Sequence, residues 1–111
     1  MHATIYHNPR CSKSRAALAI LQEADAEIEV VEYLETPPTA AELARLLGRA
    51  GLVAAQLLRK AEPGAKALTD ADDATILAAM AADPILIERP LVETEKGVRL
   101  GRPPEVIREI L

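Results

Sequence analysis

The hydrophobic and polar positions at the start of the chain follow a strand pattern and then a helix pattern. Residues 3–6 are strand formers, and the pair Asn8-Pro9 behind them favours a turn. From Ser12 to about residue 24, apolar side chains recur every three or four positions, which predicts a helix. Residues 28–33 predict a second strand. A strand, a helix and a strand within about 30 residues predict a βαβ unit with parallel pairing.

The region of about 37–88 has a helical pattern throughout. Thr39, with Glu42 three residues later, is a capping box in front of three leucines that share one helical face. We expect Gly48 and Gly51 to break this helix. We interpret the whole region as a helical insertion between the two halves of a sheet.

Two more helices are predicted within this insertion. A short one is expected from Val53 to Lys60. Thr69 with Asp72 repeats the capping pattern and predicts a further helix, which Asp83-Pro84 ends.

The chain returns to strand after Arg89-Pro90. Residues 91–92 and 98–100 flank a turn at 95–97, which predicts a hairpin. Pro103-Pro104 fits the start of a last helix with a buried stripe made by Val106, Ile107 and Ile110. The predicted fold is therefore α/β: a single domain, 1–111, with a four-stranded mixed sheet and the insertion between its βαβ and ββα halves.

Composition and charge narrow the choice of ligand. Half of the residues are hydrophobic and 27% are charged, which favours one packed core, while only 2% are aromatic. So few aromatic side chains argue against stacking on nucleic-acid bases, and we expect no nucleic-acid partner. Residues 1–20 carry a charge of +3 and the rest of the chain −7. A cationic N-terminal segment on an acidic protein is suited to binding a small anion. The same charge pattern is equally compatible with three exposed cations that have no function.

The number of cysteines indicates the redox conditions of the cellular compartment. A single cysteine, Cys11, excludes an internal disulfide and indicates a reducing environment. The N-terminal segment lacks the pattern of a signal peptide, and no apolar run reaches the roughly 18 residues of a membrane helix. We expect a soluble, cytoplasmic protein without a membrane partner.

Residues 7–15 carry the candidate chemistry. They lie between the first strand and the first helix, at the edge of the sheet where parallel α/β folds bind ligands. Cys11 falls at the helix N-terminus, where free N–H groups and nearby cations can lower a thiol pKa from about 8.5 to roughly 3.5–7.5. The alternative is that Cys11 is a small buried hydrophobic residue.

Two neighbours of Cys11 refine this hypothesis. Ser14 stands where a Cys-x-x-Cys motif has its second cysteine, so an external thiol must resolve any adduct of Cys11. His7 is either a loop histidine bonded to the backbone, a group that tunes the thiolate, or a direct catalyst.

Three arginines outside this loop are candidate anion ligands, because a guanidinium donates to two oxygens at once. They are Arg59, Arg89 and Arg102, and each is also compatible with a solvated surface position. Arg89-Pro90 precedes a strand, the position where thioredoxin-like folds keep a cis-proline beside the reactive thiol. We therefore expect a cis bond before Pro90.

Five collinear blocks of the sequence resemble one family. They are Tyr6-His7-Asn8-Pro9-x-Cys11, Tyr33-Leu34-Glu35-Thr36-Pro37-Pro38, Leu57-Leu58-Arg59-Lys60, Pro84-Ile85-Leu86-Ile87-x-Arg89-Pro90 and Arg99-Leu100-x-Arg102-Pro103. Together they are similar to the ArsC family of arsenate reductases. The resemblance implies a thioredoxin-like fold with a helical insertion.

The resemblance also implies roles for individual residues. Cys11 matches the nucleophilic cysteine, His7 a histidine that favours the thiolate, and Arg59, Arg89 and Arg102 the arginines that hold the arsenic oxyanion. Ser14 and Arg15 are further candidate substrate-binding residues. In this mechanism arsenate forms an adduct with Cys11, glutathione attacks the adduct, glutaredoxin resolves the mixed disulfide and arsenite leaves. Glutathione is a co-substrate, and no bound cofactor or metal is expected.

Two other functions remain open. One is a thiol oxidoreductase of the same fold that acts on another substrate, such as a glutathionylated protein. The other is a non-catalytic regulator of the Spx type, which binds RNA polymerase. Spx-like chains share the Arg-Pro step and the insertion but generally carry Cys-x-x-Cys, whereas this chain has Cys-x-x-Ser. We expect a monomer.

Overall fold

A mixed four-stranded sheet with the strand order β2-β1-β3-β4 forms the frame of the first of two structural units. The computed structural model describes residues 1–111, and this unit consists of Met1–Thr36 with Arg89–Leu111. Its elements are β1 (His2–His7), α1 (Ser12–Glu23), β2 (Glu27–Glu32), β3 (Leu91–Thr94), β4 (Gly97–Leu100) and a 3₁₀ helix (Pro104–Ile110). β1 pairs in parallel with β2 and antiparallel with β3, and β3 pairs antiparallel with β4. The predicted mixed sheet is confirmed.

The core of this unit lies where α1 and the 3₁₀ helix pack on the two central strands. Its buried members are Ala3, Ile5, Ala17, Ile20, Leu21, Val92, Ile107 and Ile110. β2 is an edge strand on which Glu27, Glu29 and Glu32 are exposed. Charged side chains on an edge discourage pairing with another chain. β1 lies between β2 and β3, so the loop that follows it starts from the middle of the sheet.

The last helix has a tighter geometry than the sequence pattern suggested. Pro104–Ile110 is a 3₁₀ helix, whose three residues per turn align every third side chain. Pro104, Ile107 and Ile110 are all buried, whereas Val106, which we expected on the buried stripe, is only half-buried. The hydroxyl of Thr94 donates to the Ile110 carbonyl at 2.6 Å and attaches the end of this helix to β3.

The second unit, Pro37–Glu88, is helical. It contains α2 (Ala40–Ala50), α3 (Ala54–Leu57), α4 (Asp73–Ala82) and two 3₁₀ helices (Pro63–Leu68 and Pro84–Leu86). Thr39 caps α2 as predicted, because its hydroxyl accepts the Glu42 N–H at 3.1 Å. The expected break at Gly48 is wrong. The helix continues through this exposed glycine, whose cost of about 0.5–1 kcal/mol is small, and ends at Gly51 in the left-handed conformation (φ 69°).

Two other boundaries in this unit differ from the prediction. The helix expected from Val53 to Lys60 is only α3, because its backbone continues into a bridge between Leu58 and Ile87. Thr69 does not cap α4. Its hydroxyl donates to the Lys66 carbonyl at 2.9 Å, and Asp72 caps α4 by accepting the Thr75 N–H at 2.8 Å.

None of the helices combines the length and the apolar character required to span a bilayer.

Candidate active site

The loop between β1 and α1 is shaped by Asn8. Its carbonyl accepts the Cys11 N–H at 3.0 Å, and its side-chain Oδ1 accepts the Arg10 N–H at 3.0 Å. Its own N–H donates to Ser14 Oγ at 3.1 Å. Asparagine often bonds to the backbone two residues onward, so Asn8 has a role beyond the turn that the pair Asn8-Pro9 predicts. These three bonds set Cys11 as the N-cap residue of α1.

The Cys11 thiol is buried, but its surroundings stabilise the thiolate form. The residue is 8% exposed and forms no disulfide. Burial raises the pKa of the Cys11 thiol, but the nearby backbone N–H groups of Ser14 and Lys13 and the charges of Arg89 and Arg102 lower it and outweigh burial. The pKa of Cys11 therefore lies below its ordinary value. An inert hydrophobic cysteine would have the opposite shift.

Arg89 precedes the β3–β4 hairpin in the chain, and Arg102 follows it. Because the two strands are antiparallel, the residues that precede β3 and those that follow β4 lie at the same end of the sheet. Arg102 Nη1 donates to the Arg89 carbonyl at 3.0 Å, and both charges lower the pKa of Cys11. The Arg89-Pro90 peptide bond is cis, the form expected from the sequence, and so is Arg102-Pro103.

Arg59, the third candidate arginine, belongs to the helical unit. It is half-buried, its N–H donates to the Leu86 carbonyl at 2.8 Å, and its Nη1 lies 3.7 Å from Glu62 Oε2. The role of Arg59 in anion binding stays a prediction.

His7 and Ser14 form a buried pair next to the nucleophile. His7 Nδ1 lies 2.6 Å from Ser14 Oγ. Burial lowers the pKa of His7, and Arg15 acts in the same direction against the opposing effect of Glu32. Ser14 is fully buried, and its Oγ contacts both His7 Nδ1 and the Asn8 N–H. Burial and Arg15 therefore favour the neutral imidazole over the cation.

The cations of the loop itself lie at the surface. Arg10, Lys13 and Arg15 are exposed, and Arg15 Nη1 donates to the Pro9 carbonyl at 2.9 Å. The charges that lower the pKa of the Cys11 thiol are those of Arg89 and Arg102, two of the three candidate arginines outside this loop. No group of three or more His, Cys, Asp or Glu side chains in the chain is placed to hold a metal ion.

The site thus combines a nucleophilic sulfur with donors for an anion. Two backbone N–H groups at the start of α1 and two guanidinium charges lower the pKa of the thiol. Such an arrangement stabilises a thiolate, and the same donors suit an incoming oxyanion that the thiolate attacks.

Comparison with known proteins agrees with this geometry. Residues 6–110 match the model of the ArsC family. The chain is 47% identical over 115 residues to the arsenate reductase of Rhizobium meliloti (strain 1021), covering 100% of this chain and 82% of that protein. It is also 47% identical over 112 residues to the uncharacterized protein YfgD of Escherichia coli (strain K12), covering 96% and 94%.

Solved structures give the same result. The arsenate reductase from Vibrio cholerae superposes with a TM-score of 0.93 at 44% identity, covering 100% of this chain and 98% of that one. The predicted thioredoxin-like fold is confirmed. The chain belongs to the ArsC family.

Proposed function

We propose that this protein is an arsenate reductase whose nucleophile is the Cys11 thiolate. The observation that supports the proposal most is the environment of the sulfur, which two N–H groups and two arginine charges hold below its ordinary pKa. Relatives that cover most of the chain at 42–47% identity are named arsenate reductases. Arsenate is a tetrahedral oxyanion that such donors bind well.

The first chemical step forms the bond between sulfur and arsenic. The Cys11 thiolate attacks the arsenic atom of arsenate, and one arsenate oxygen leaves as water after protonation. Arsenic stays in the +5 state in this step. Arg89 and Arg102 offset the negative charge of the oxygens, which otherwise repel the thiolate.

The second step carries the reduction. A glutathione thiolate attacks the Cys11 sulfur of the adduct, and the electron pair of the sulfur–arsenic bond stays on arsenic, which leaves as arsenite. The product on the enzyme is a mixed disulfide between Cys11 and glutathione. A glutaredoxin thiolate then attacks the glutathione sulfur, which moves to glutaredoxin as a new mixed disulfide, and Cys11 leaves as the thiolate.

The external thiol follows from the cysteine count. The chain has one cysteine, and Ser14 occupies the position of a resolving residue, so no internal disulfide can form. Turnover therefore depends on added glutathione and glutaredoxin. Without them the enzyme reacts with one equivalent of arsenate and stops.

The test is arsenate-dependent oxidation of NADPH, coupled through glutathione, glutaredoxin and glutathione reductase. Cys11→Ser should reduce the rate to background, and Ser12→Ala, at the exposed neighbouring position, should retain the wild-type rate. Arsenate-dependent turnover by Cys11→Ser, or by wild type without any added thiol, contradicts the mechanism. If adding this protein raises NADPH oxidation with a glutathionylated peptide above the rate of the coupling mixture alone, and arsenate supports no oxidation, the protein is a thiol oxidoreductase for another substrate.

A further inference from the structure

We propose that the exposed side chains of Arg10 and Lys13 attract the external thiol that attacks Cys11, and that they give the protein a preference for an anionic thiol of the glutathione class. The inference deepens the proposed function and rests on Cys11 being its nucleophile. It concerns the charge of a thiol that attacks a Cys11 disulfide. This is measured without arsenate, so its failure is distinct from a failure of the arsenate reductase assignment.

Arg10 and Lys13 are cations that the fold does not use. Arg10 directly precedes Cys11, Lys13 is the second residue of α1, and both are exposed. Neither charged group forms a hydrogen bond or an ion pair, because the bond of Arg10 comes from its backbone N–H. Arg15 differs, since its Nη1 donates to the Pro9 carbonyl at 2.9 Å. The charges of Arg10 and Lys13 are therefore available to a molecule that approaches from solvent.

Both cations stand next to the nucleophile along the chain. Consecutive Cα atoms are about 3.8 Å apart and two residues span at most about 7 Å, so both side chains start within about 7 Å of the Cys11 Cα. The Debye length at physiological ionic strength is about 8 Å. Cys11 is only 8% exposed, so a thiol that reaches its sulfur comes within the range of these two charges.

The charge of the second step separates these residues from the hairpin arginines. Arg89 and Arg102 offset the negative oxygens of the arsenate adduct in the proposed mechanism. The thiolate that attacks next is glutathione, whose net charge is about −2, because two carboxylates and the sulfur outweigh one ammonium. The adduct repels it, and so do the residues after position 20, which carry −7. This step needs positive charge that the adduct does not already occupy.

The shape of glutathione agrees with cations at the surface. Its carboxylates are at the two ends of the tripeptide, several bonds from the sulfur, so they stay near the protein surface when the sulfur meets Cys11. Glu32 lies opposite His7 in the pairing of β1 with β2, at the same end of the sheet as the loop. It forms no ion pair with Arg10 or Lys13. The two cations therefore keep their charge for a carboxylate of the incoming thiol.

The test uses Cys11 converted to its methyl disulfide with methyl methanethiosulfonate, since the chain has no other cysteine. An attacking thiolate breaks the sulfur–sulfur bond, forms a new disulfide and expels the other sulfur as a thiolate. Mass spectrometry follows the loss of the methyl disulfide. Glutathione is compared with cysteamine, whose thiolate has a net charge of about zero because its ammonium offsets the sulfur. The ratio of variant to wild-type rate, taken for each thiol, cancels the intrinsic reactivity of that thiol.

Arg10→Gln and Lys13→Gln should each lower the glutathione rate constant roughly two- to threefold at low ionic strength and leave the cysteamine rate constant unchanged. Arg10→Lys keeps the charge and should retain the glutathione rate. Lys96→Gln is the matched control. Lys96 is an exposed lysine in the β3–β4 turn, at the opposite end of the sheet, and its loss changes the net charge by the same amount.

Three results overturn the proposal. One is an unchanged glutathione rate in a protein that carries both Arg10→Gln and Lys13→Gln. The second is an equal fractional loss with glutathione and cysteamine, which would show an effect that does not depend on the charge of the thiol. The third is an equal loss in Lys96→Gln, which would show that only the net charge of the protein matters.

The wild type gives a test without any substitution. The chain has a net charge of −4, so if the charge of the whole molecule governed the encounter, salt would raise the rate with glutathione. Local attraction by Arg10 and Lys13 predicts the opposite, a glutathione rate that falls towards about 0.5 M sodium chloride while the cysteamine rate stays constant. A glutathione rate that rises with salt or does not respond to it overturns the proposal.

Discussion

Substituting Gly101 by alanine should destabilise the protein, because the added methyl group has no room. Gly101 is buried directly after β4, and a Cβ there lies 3.0 Å from Pro90 Cγ and 3.3 Å from Ile107 Cγ2. Carbon atoms pack best at about 3.5–4.0 Å, so each neighbour must move by a few tenths of an ångström. Neither moves easily. Pro90 is a rigid ring whose carbonyl accepts the Gly101 N–H at 2.8 Å, and Ile107 is a fully buried core residue.

The size of the effect follows from this crowding. Overfilling a packed site costs about 1–3 kcal/mol of unfolding free energy. For a chain of this length, each kcal/mol lowers the melting temperature by roughly 4 °C. Gly48→Ala is the matched control, because nothing lies within 4 Å of a Cβ at this exposed position inside α2. That substitution should stabilise the protein by about 0.5–1 kcal/mol, since it removes the conformational freedom of glycine from the unfolded chain.

Thermal and urea unfolding followed by far-UV circular dichroism measure both variants. The expected result is a lower melting temperature for Gly101→Ala and a higher one for Gly48→Ala. A Gly101→Ala protein as stable as wild type would show that Pro90 and Ile107 can yield without cost and would refute the reasoning. A decrease of equal size in both variants would refute it as well, because a general intolerance of alanine would then explain the data.

Three further predictions concern the site and its supporting helix. Arg89→Met should raise the pKa of Cys11, measured by the pH dependence of its alkylation with iodoacetamide. Arg89→Lys keeps the charge and should preserve most of the lowering of this pKa, so equal pKa values in both variants would contradict a charge effect. The pKa of His7 is lower in the folded than in the unfolded protein, so on acidification the unfolded state binds a proton before the folded state does. The free energy of unfolding should therefore decrease as the pH falls below about 6.5. His7→Asn should flatten this dependence, and an unchanged slope would exclude His7 as its source. Thr39→Ala removes the cap of α2 and should cost about 1 kcal/mol in urea unfolding, and no change would show that the cap bond is not formed in solution.

Local sequence determined the elements that surround the nucleophile. β1 and β2 lie within one residue of their predicted bounds at each end, and α1 begins at the predicted Ser12. Strand and helix periodicity depend on neighbouring residues alone, so they can be derived without knowledge of the fold. The position of Cys11 at a helix N-terminus followed from the same local pattern. The lowered pKa of its thiol was therefore predictable in direction.

Element boundaries that depend on distant partners were not predictable in the same way. α3 ends early because Leu58 meets Ile87, a residue far along the chain. Thr69 and Asp72 both carry a capping side chain, and only the folded backbone selects Asp72 for α4. At Gly48 the local signal predicted a boundary that the structure does not have. The rest of α2 is stable enough for the helix to continue through one glycine.

The tertiary structure alone decided which groups act on the sulfur. The sequence places three cations within four residues of Cys11, but the charges that lower its pKa belong to Arg89 and Arg102, which the antiparallel hairpin brings to one end of the sheet. It also gave no means to choose among the roles of His7. The folded backbone places its Nδ1 2.6 Å from the buried Ser14 Oγ, a contact that the spacing of residues along the chain does not specify.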